Sequence, residues 1–552
     1  MLTKEQHKAV CHVDGPMMVV AGPGSGKTTV LTHRVKELLK YTQPERILVI
    51  TFARKAADEM KERFALLTNE ATACKVNFGT FHAVFFTWLK KWGVLPANVQ
   101  VLDEEQQKML WLELGWDMED VPAFLLCQRD EAFRYACEKK RRNMVDFEDM
   151  IQIMSEEIEC RNIEDSYDYI LVDEFQDINP QQYDILRKMV NKDRPNLFVV
   201  GDEDQAIYAF RGSDPGIFLK FPIDYPSCRR VDLTTNFRCR GPIVEAAKEL
   251  IGHNQIRFVK NINAHHINGG KVRICSVYDD KQEARYIRDQ ILKQHRTGES
   301  FKDMAVLCRT NAQLRRIAAA LQEGGIPYVC SESWQINDKP EELLIRQDLE
   351  LFLRLGRNMS DRIAFRGVLR TLPKLQYSGN WRRTPPGGSF LDTMLHLSKD
   401  PLVKREIEEL RSRLQQGMRM TPKRAFLFFL WQTDYLTYAY AKAKRRGLSR
   451  FGVWRQIRQM IRELNGEQDG VLLSTMHGAK GLEFDWVWIA GMNEGQLPRK
   501  EAMESGSLEE ERRLLYVAMT RAKRYLTFSY HDGLGAKPSG FLKEIKSLHF
   551  IC

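Results

Sequence analysis

The sequence lacks the cysteine pattern of a metal-binding or disulfide-bonded protein. Its 11 cysteines are scattered over 552 residues, and no two of them form a C-x-x-C pair. This spacing argues against a structural zinc or iron–sulfur site, and it is typical of reduced thiols in a cytosol. We therefore expect a cytoplasmic protein.

Long hydrophobic runs are also missing. The most apolar stretch, AFLFFLW at residues 425–431, is too short to span a bilayer, which takes ~20 apolar residues, and it predicts a buried helix. The first residues, MLTKEQHKAV, are polar, so we expect no signal peptide. Neither feature suggests a membrane partner.

Acidic residues are scarce in one segment. Residues 361–465 contain 22 Lys and Arg against 8 Asp and Glu, although the formal net charge of the whole chain is only +10. The rest of the chain is therefore close to neutral, with a net charge of −4. Such a concentrated excess fits either a solvated surface or a face that binds nucleic acid or an acidic protein.

What the sequence does contain is the pattern of a phosphate-binding loop. In VAGPGSGKTTVL, at residues 20–31, an apolar strand leads into small residues and then into a helix. Glycines let backbone N–H groups surround a phosphate, Lys27 can reach the β- and γ-phosphates, and the Thr28 hydroxyl can hold Mg²⁺. We therefore expect the protein to bind a nucleoside triphosphate with Mg²⁺. The predicted nucleotide-binding residues of this loop are Ala21, Gly22, Gly24, Ser25, Gly26, Lys27, Thr28 and Thr29.

Two further apolar strands end in polar residues suited to ATP chemistry. YILVDEFQD, at residues 169–177, places Asp173 at a strand tip, where it would bind Mg²⁺. Glu174 would then orient and deprotonate the attacking water. The next strand, NLFVV, leads to Asp202 and Gln205, which we place where the γ-phosphate would be sensed.

Aromatic residues follow this sensor directly. Tyr208 and Phe210 could pack in a core, but beside a phosphate sensor they are candidates for stacking on unpaired bases. The segments 50–60 and 79–83 offer Thr, Phe, Lys and His side chains suited to backbone phosphates and a base face. Residues 509–523 predict an amphipathic helix that carries Arg521. Taken singly, Arg521 and Arg238 would be surface charges; together they are candidate arginine fingers.

In this order the motifs resemble those of the UvrD/Rep-type (PcrA-like) superfamily 1 helicases, over most of the chain. The resemblance includes Asn236-Phe237-Arg238, Arg309-Thr310-Asn311 and residues 475–484 and 516–522. Departures at Ala53, Arg54 and Phe210 concern DNA contacts rather than the ATP site.

The resemblance implies roles for individual residues. Gln6 would read adenine, Arg34 would also bind the nucleotide, and Glu483 would touch the ribose. The implied catalytic residues are Lys27, Asp173, Glu174, Gln205, Arg238 and Arg521. The implied DNA-binding residues are Phe52, Lys55, Thr80, His82, Tyr208, Phe210, Arg211, Thr475 and His477.

The implied fold is α/β, with two RecA-like domains that have parallel sheets and bind ATP between them. The first would comprise residues 1–83 and 166–235, interrupted by a helical insertion at 84–165. The second would comprise 236–355 and 467–552, interrupted by the basic insertion at 356–466. Both insertions look short for the family.

The resemblance implies an ATP-dependent 3′→5′ helicase that moves on single-stranded DNA and meets junctions of single and double strands. An alternative is a translocating subunit that unwinds only with a partner such as a nuclease, as in Gabija-type anti-phage defence. A third hypothesis is an ATP-gated DNA-binding module that does not unwind. An RNA motor is less favoured.

Overall fold

The structure is a computed structural model, and it describes most of the chain outside the basic segment. The described residues are 2–96, 98–102, 106–107, 110–111, 114, 129–161, 163, 166–330, 391, 395, 401–418, 470–504, 506–533, 535–547 and 549–551. Most of the predicted insertion at 356–466 therefore lies outside them. The chain divides into two compact units. The first contains Met1–Glu299, Asp303–Ile317 and Leu473–Cys552, and the second contains Ser300–Lys302 and Ala318–Leu472.

A six-stranded parallel sheet carries the predicted phosphate-binding loop. Its strand order is β3-β2-β6-β7-β1-β8. The strands are β1 (Met17–Ala21), β2 (Ile47–Thr51), β3 (Asn77–Thr80), β6 (Tyr169–Val172), β7 (Leu197–Gly201) and β8 (Arg229–Leu233). Four of these strands are short apolar runs with every residue buried, as expected of strands that are covered on both faces.

Side chains that alternate along β1 explain this burial. Met18 and Val20 belong to one hydrophobic cluster, whereas Met17 and Val19 belong to another. Successive strand residues point to opposite faces, so helices must cover both sides of the sheet. The helices of this part are α1 (Lys4–Cys11), α2 (Lys27–Leu38), α3 (Arg54–Leu67), α4 (Glu70–Ala73), α5 (Phe81–Lys91), α6 (Arg129–Arg141), α7 (Phe147–Ile158), α8 (Pro180–Met189) and α9 (Pro215–Asp224).

A second parallel sheet follows in the chain. Within the first unit its strand order is β14-β12-β15-β16-β11-β17. The strands after β8 are β9 (Thr235–Arg240), β10 (Asn263–His266), β11 (Lys271–Val277), β12 (Met304–Cys308), β13 (Tyr328–Cys330), β14 (Val471–Thr475), β15 (Phe484–Ile489), β16 (Ala522–His531) and β17 (His549–Ile551). Separately, β9 pairs with β10, and β4 (Gln100–Val101) pairs with β5 (Met144–Val145), in parallel ribbons.

Helices alternate with these strands as well. They are α10 (Gly241–Ile251), α11 (Asp280–Arg296), α12 (Asn311–Glu323), α13 (Pro401–Met418), α14 (Lys500–Glu504) and α15 (Leu508–Met519). The α/β class with parallel sheets is confirmed, whereas the domain boundaries stay predictions. One expectation was wrong: α15 ends at Met519, so Arg521 is not on the helix but lies between its cap residue Thr520 and β16. In the described ranges, no helix combines the length and the apolarity that crossing a bilayer requires.

Candidate functional site

The phosphate-binding loop joins β1 to α2 at the carboxyl ends of the parallel strands. Its glycines are needed for conformation and for close approach. Gly26 has φ +84°, and a Cβ there would lie 2.7 Å from Nε2 of Gln6. Gly24 has φ +65°, and a Cβ there would lie 2.6 Å from Cβ of Arg238. Larger residues would therefore both strain the loop and push away its neighbours.

The positions of the other loop residues are set by the end of β1 and the start of α2. Ala21 ends β1, Ser25 donates its hydroxyl to the carbonyl of Gly22 at 2.7 Å, and Thr28 and Thr29 lie in the first turn of α2. Lys27 begins the helix. The start of a helix presents unsatisfied N–H groups, so this geometry suits a phosphate.

Two predicted nucleotide contacts are engaged with protein backbone. The amide of Gln6 donates to the Ser25 carbonyl at 2.9 Å and accepts from the Thr3 N–H at 3.0 Å. Arg34 is buried beneath α1, donates to the carbonyls of Ala9 and His12, and lies 4.3 Å above the ring of Phe198. Burial lowers the pKa of Arg34 to about 9. Arg34 thus anchors α1, and its contact with the nucleotide stays a prediction.

Lys27 and the two carboxylates after β6 form a charged cluster. The ammonium of Lys27 lies 3.2 Å from Oε1 of Glu174. Burial tends to raise the pKa of Glu174, but the ammonium groups of Lys27 and Lys480 outweigh it and lower the pKa to about 2. Glu174 is therefore ionised at neutral pH, as a general base must be. It also has φ +50°, a strained conformation for a non-glycine residue of the kind that clusters at functional sites.

Asp173 has the properties of a metal ligand. Its carboxylate is buried, and burial followed by the charge of Glu174 raises its pKa to about 7. A buried oxygen donor beside a second carboxylate and the Thr28 loop is the environment that a hard cation such as Mg²⁺ prefers. The residues present therefore fit the predicted metal.

Another acidic cluster does not call for a metal. Asp202, Glu203 and Asp204 bring carboxylate oxygens close together. However, the ammonium of Lys260 lies within 2.9 Å of an oxygen of each of them, and Arg257 pairs with Asp204 at 2.6 Å. These two cations already supply the positive charge that a metal ion would bring.

The predicted sensor Gln205 connects the two sheets. Its Nε2 donates to Asp202 at 2.6 Å, and its Oε1 accepts from Nη2 of Arg521 at 3.3 Å. Arg521 is buried and also donates to the Val517 carbonyl at 2.8 Å. Burial, followed by the charge of Arg238, lowers the pKa of Arg521 to about 9. The structure thus brings the candidate finger to the sensor.

Arg238 approaches the loop from β9. The N–H of its neighbour Phe237 donates to the Gly24 carbonyl at 2.9 Å. The Arg238 guanidinium donates to Glu483 at 2.7 Å and to the Thr520 carbonyl at 3.3 Å. Glu483, predicted to touch the ribose, therefore holds a candidate finger in this structure.

The aromatic candidates for base contact are in mutual contact. Phe52 stacks on Tyr208 with centroids 5.1 Å apart, Tyr208 meets Phe210 at 6.0 Å, and Phe210 meets His477 at 5.5 Å. Phe210 is 66% exposed. Arg211 lies 5.7 Å from the ring centroids of both Tyr208 and Phe210. Phe52, Tyr208, Phe210, Arg211 and His477 together form what we call the aromatic surface, beside the predicted sensor Gln205.

The remaining predicted DNA contacts lie on other elements of the chain. Lys55 is exposed in the first turn of α3, and Thr80 caps α5. His82 lies 4.6 Å from the ring of Phe147, and burial lowers its pKa to about 4. Thr475 is buried and accepts from the Gly478 N–H at 3.1 Å.

Sequence reasoning missed two residues that link the loops of the site to one another. Lys480 pairs with Asp177, donates to the Gln205 carbonyl at 2.9 Å and lies 4.8 Å from the Tyr208 ring. Gln176 donates to Glu174 and accepts from the Asp202 N–H at 2.9 Å. Both residues lie inside the motifs described above, and that position is the signal by which the sequence could have indicated them.

Comparisons with known proteins match nearly the whole chain. A family model described as the UvrD/REP helicase N-terminal domain matches residues 2–122 and 129–226, and one described as the UvrD-like helicase C-terminal domain matches 231–380 and 404–533. YjcD of Bacillus subtilis (strain 168) is 31% identical over 96% of this chain and 78% of its own length. ATP-dependent DNA helicase Rep of Escherichia coli (strain K12) is 28% identical over 99% and 94%. ATP-dependent DNA helicase PcrA of Leuconostoc citreum is 30% identical over 99% and 84%.

Proposed function

Because the chain belongs to the UvrD/REP helicase family, we propose that it is an ATP-hydrolysing DNA helicase that moves 3′→5′ along single-stranded DNA. The observation that carries this proposal is the hydrogen bond from Arg521 to Gln205. Through it, a residue directly before β16 of the second sheet reaches the loop that follows β7 of the first sheet. A γ-phosphate in this place would contact both sheets at once.

The charged groups have complementary tasks in hydrolysis. Lys27 binds the terminal phosphates, Glu174 takes a proton from the attacking water, and Arg521 and Arg238 stabilise the charge of the transition state. Asp173 and Thr28 would hold Mg²⁺, which when bound neutralises phosphate charge. A phosphate that displaces the Gln205 amide affects both Asp202 and Arg521, because the amide is hydrogen-bonded to both.

The aromatic surface provides the DNA side of the motor. Phe52, Tyr208 and Phe210 offer ring faces on which any base can stack, so movement need not depend on sequence. Lys480 contacts the Tyr208 ring and the Gln205 carbonyl at the same time. A displacement of the sensor loop that accompanies hydrolysis would therefore move the base-stacking residues.

Strand displacement with tailed duplexes tests this proposal. Duplexes with a 3′ or a 5′ single-stranded tail are incubated with the full chain, Mg²⁺ and ATP, and ATP hydrolysis is followed in parallel with single-stranded DNA, duplex DNA and RNA. We expect single-stranded DNA to stimulate hydrolysis most and only the 3′-tailed duplex to unwind. Unwinding of 5′-tailed duplex alone would refute the proposed direction.

A second candidate is a motor subunit that unwinds only with a partner protein such as a nuclease. The net charge of +14 on residues 361–465 favours it, because such a segment suits an acidic protein as well as duplex DNA. DNA-stimulated ATPase activity without strand displacement by the chain alone would select this second candidate.

A further inference from the structure

Lys260 is a buried lysine outside every recognised motif, on the connection between α10 and β10. Its side chain is 3% exposed, and its ammonium lies 2.5 Å from Asp202, 2.9 Å from Glu203 and 2.6 Å from Asp204. Burying an ammonium is costly unless it is paired and hydrogen-bonded. Three carboxylates gathered around one lysine therefore form a dedicated arrangement rather than an incidental contact.

The charges in this cluster are nearly balanced. Arg257 donates two hydrogen bonds to Asp204, at 2.9 and 2.6 Å, so two cations face three carboxylates. Burial, more than the neighbouring charges, raises the pKa of Glu203. One oxygen of Glu203 also accepts the Phe258 N–H at 2.8 Å. Glu203 therefore serves mainly to hold the connecting segment.

Asp202 has a different task, because it faces the sensor. One of its oxygens accepts from Lys260, while the other accepts from Nε2 of Gln205 at 2.6 Å. An ionised carboxylate can only accept, so it requires the N–H₂ side of the Gln205 amide. The carbonyl side must then face away from Asp202, where it meets the guanidinium of Arg521 at 3.3 Å. A flipped amide would set donor against donor.

We propose that Lys260 is a positioning residue for ATP hydrolysis, because by fixing Asp202 it sets the direction in which the Gln205 amide is presented to Arg521. The inference rests on the proposed roles of Gln205 and Arg521. The same connection continues to Ile262, whose Cδ1 lies only 2.6 Å from where a Cβ on Gly22 would be. The segment that carries Lys260 is thus packed against the phosphate-binding loop as well as the sensor.

The test is a mutant cycle on single-stranded-DNA-stimulated ATPase activity. Lys260→Met removes the ammonium and keeps an unbranched chain. We expect kcat to fall on the order of 10–100-fold, the cost of misplacing a catalytic group, while KM for ATP changes little. Lys260→Met combined with Gln205→Ala should be no slower than Gln205→Ala alone, because both act through the same amide. A merely structural role would make the two losses multiply.

The matched control is Glu203→Gln, whose remaining carbonyl oxygen can still accept from Lys260 and from the Phe258 N–H, as Oε1 of Glu203 does. Because Glu203 makes no hydrogen bond with Gln205, this variant should keep turnover near that of the wild type. If Lys260→Met does not fold, Asp202→Asn tests the same connection, because an Asn amide no longer dictates the direction of Gln205. We expect the same loss and the same lack of additivity from it.

Several outcomes would overturn the inference. They are unchanged turnover in Lys260→Met or Asp202→Asn, losses that multiply with that of Gln205→Ala, or an equal loss in Glu203→Gln. If Gln205→Ala and Arg521→Ala are both slow, but the losses of Lys260→Met and Gln205→Ala multiply in the double variant, only the positioning role of Lys260 is refuted. Wild-type turnover in both of those single variants would instead refute the proposed catalytic roles, and the inference with them.

Discussion

Replacing Glu174 with Gln should lower turnover and tighten ATP binding at the same time. The substitution keeps the shape of the side chain but removes the general base, so kcat should fall by roughly 10²–10⁴. It also removes the negative charge that holds the ammonium of Lys27, which lies 3.2 Å from Oε1 of Glu174. The two side chains are 12% and 28% exposed, which places the pair near the upper end of the range for surface ion pairs, about 1 kcal/mol.

The strength of the ion pair between Lys27 and Glu174 sets how much ATP binding should tighten. A phosphate that binds Lys27 must compete with Glu174, so removing the competitor should tighten ATP binding by about 5-fold. Loss of the negative charge near the γ-phosphate acts in the same direction. Turnover would be measured with single-stranded DNA, and affinity by titration with a fluorescent ATP analogue. Turnover within a few-fold of the wild type, or weaker nucleotide binding, would show that the reasoning about this pair is wrong.

The other predictions address the remaining parts of the site. Lys27→Ala should weaken nucleotide binding and hydrolysis together, in contrast to Glu174→Gln, and an unchanged affinity in the same titration would refute this. Arg521→Ala should lower DNA-stimulated turnover by about 10³ or more with a smaller change in nucleotide affinity; if steady-state turnover does not change, Arg238 becomes the candidate finger. Phe210→Ala should weaken single-stranded DNA binding by ~1–3 kcal/mol and leave DNA-independent hydrolysis unchanged, as anisotropy and ATPase assays would show. Deleting residues 361–465 should spare single-strand-stimulated hydrolysis but reduce duplex or partner binding, and that binding should weaken steeply with salt; salt-insensitive binding that survives the deletion would contradict this.

The parts of the molecule that sequence could predict are those governed by local patterns. The apolar runs that form β1, β6 and β7 each precede predicted site residues. Because parallel strands align their carboxyl ends, these residues are expected to lie close together. Gly24 and Gly26 were predictable for the same reason, because positive φ and close approach leave few alternatives.

Long-range pairings were not predictable in this way. Lys260 is 56 to 58 residues from the carboxylates it holds, and a lone lysine in a polar stretch usually lies at the surface. The end of α15 was misjudged because Thr520 and Arg521 do not interrupt the amphipathic pattern, whereas the backbone turns there into β16. Contacts of Gln6 with the loop backbone likewise depend on how α1 packs, which no short motif encodes.

Four cations among the described residues of the site share one property: each is already held by acceptors of the protein. Lys27 is held by Glu174, Arg238 by Glu483, Lys480 by Asp177, and Arg521 by Gln205 and backbone carbonyls. A phosphate that recruits any of them competes with an acceptor of the protein, so binding partly exchanges contacts in addition to forming new ones.

Such an exchange shifts the balance between two arrangements of the chain only if the phosphate binds one arrangement more tightly than the other. Glu483 leads into β15, whereas Gln205 and Asp177 follow strands of the first sheet. Acceptors released by phosphate therefore belong to both sheets. Hydrolysis would return each cation to its own acceptor, and because Lys480 also contacts the Tyr208 ring, the aromatic surface is part of the same exchange.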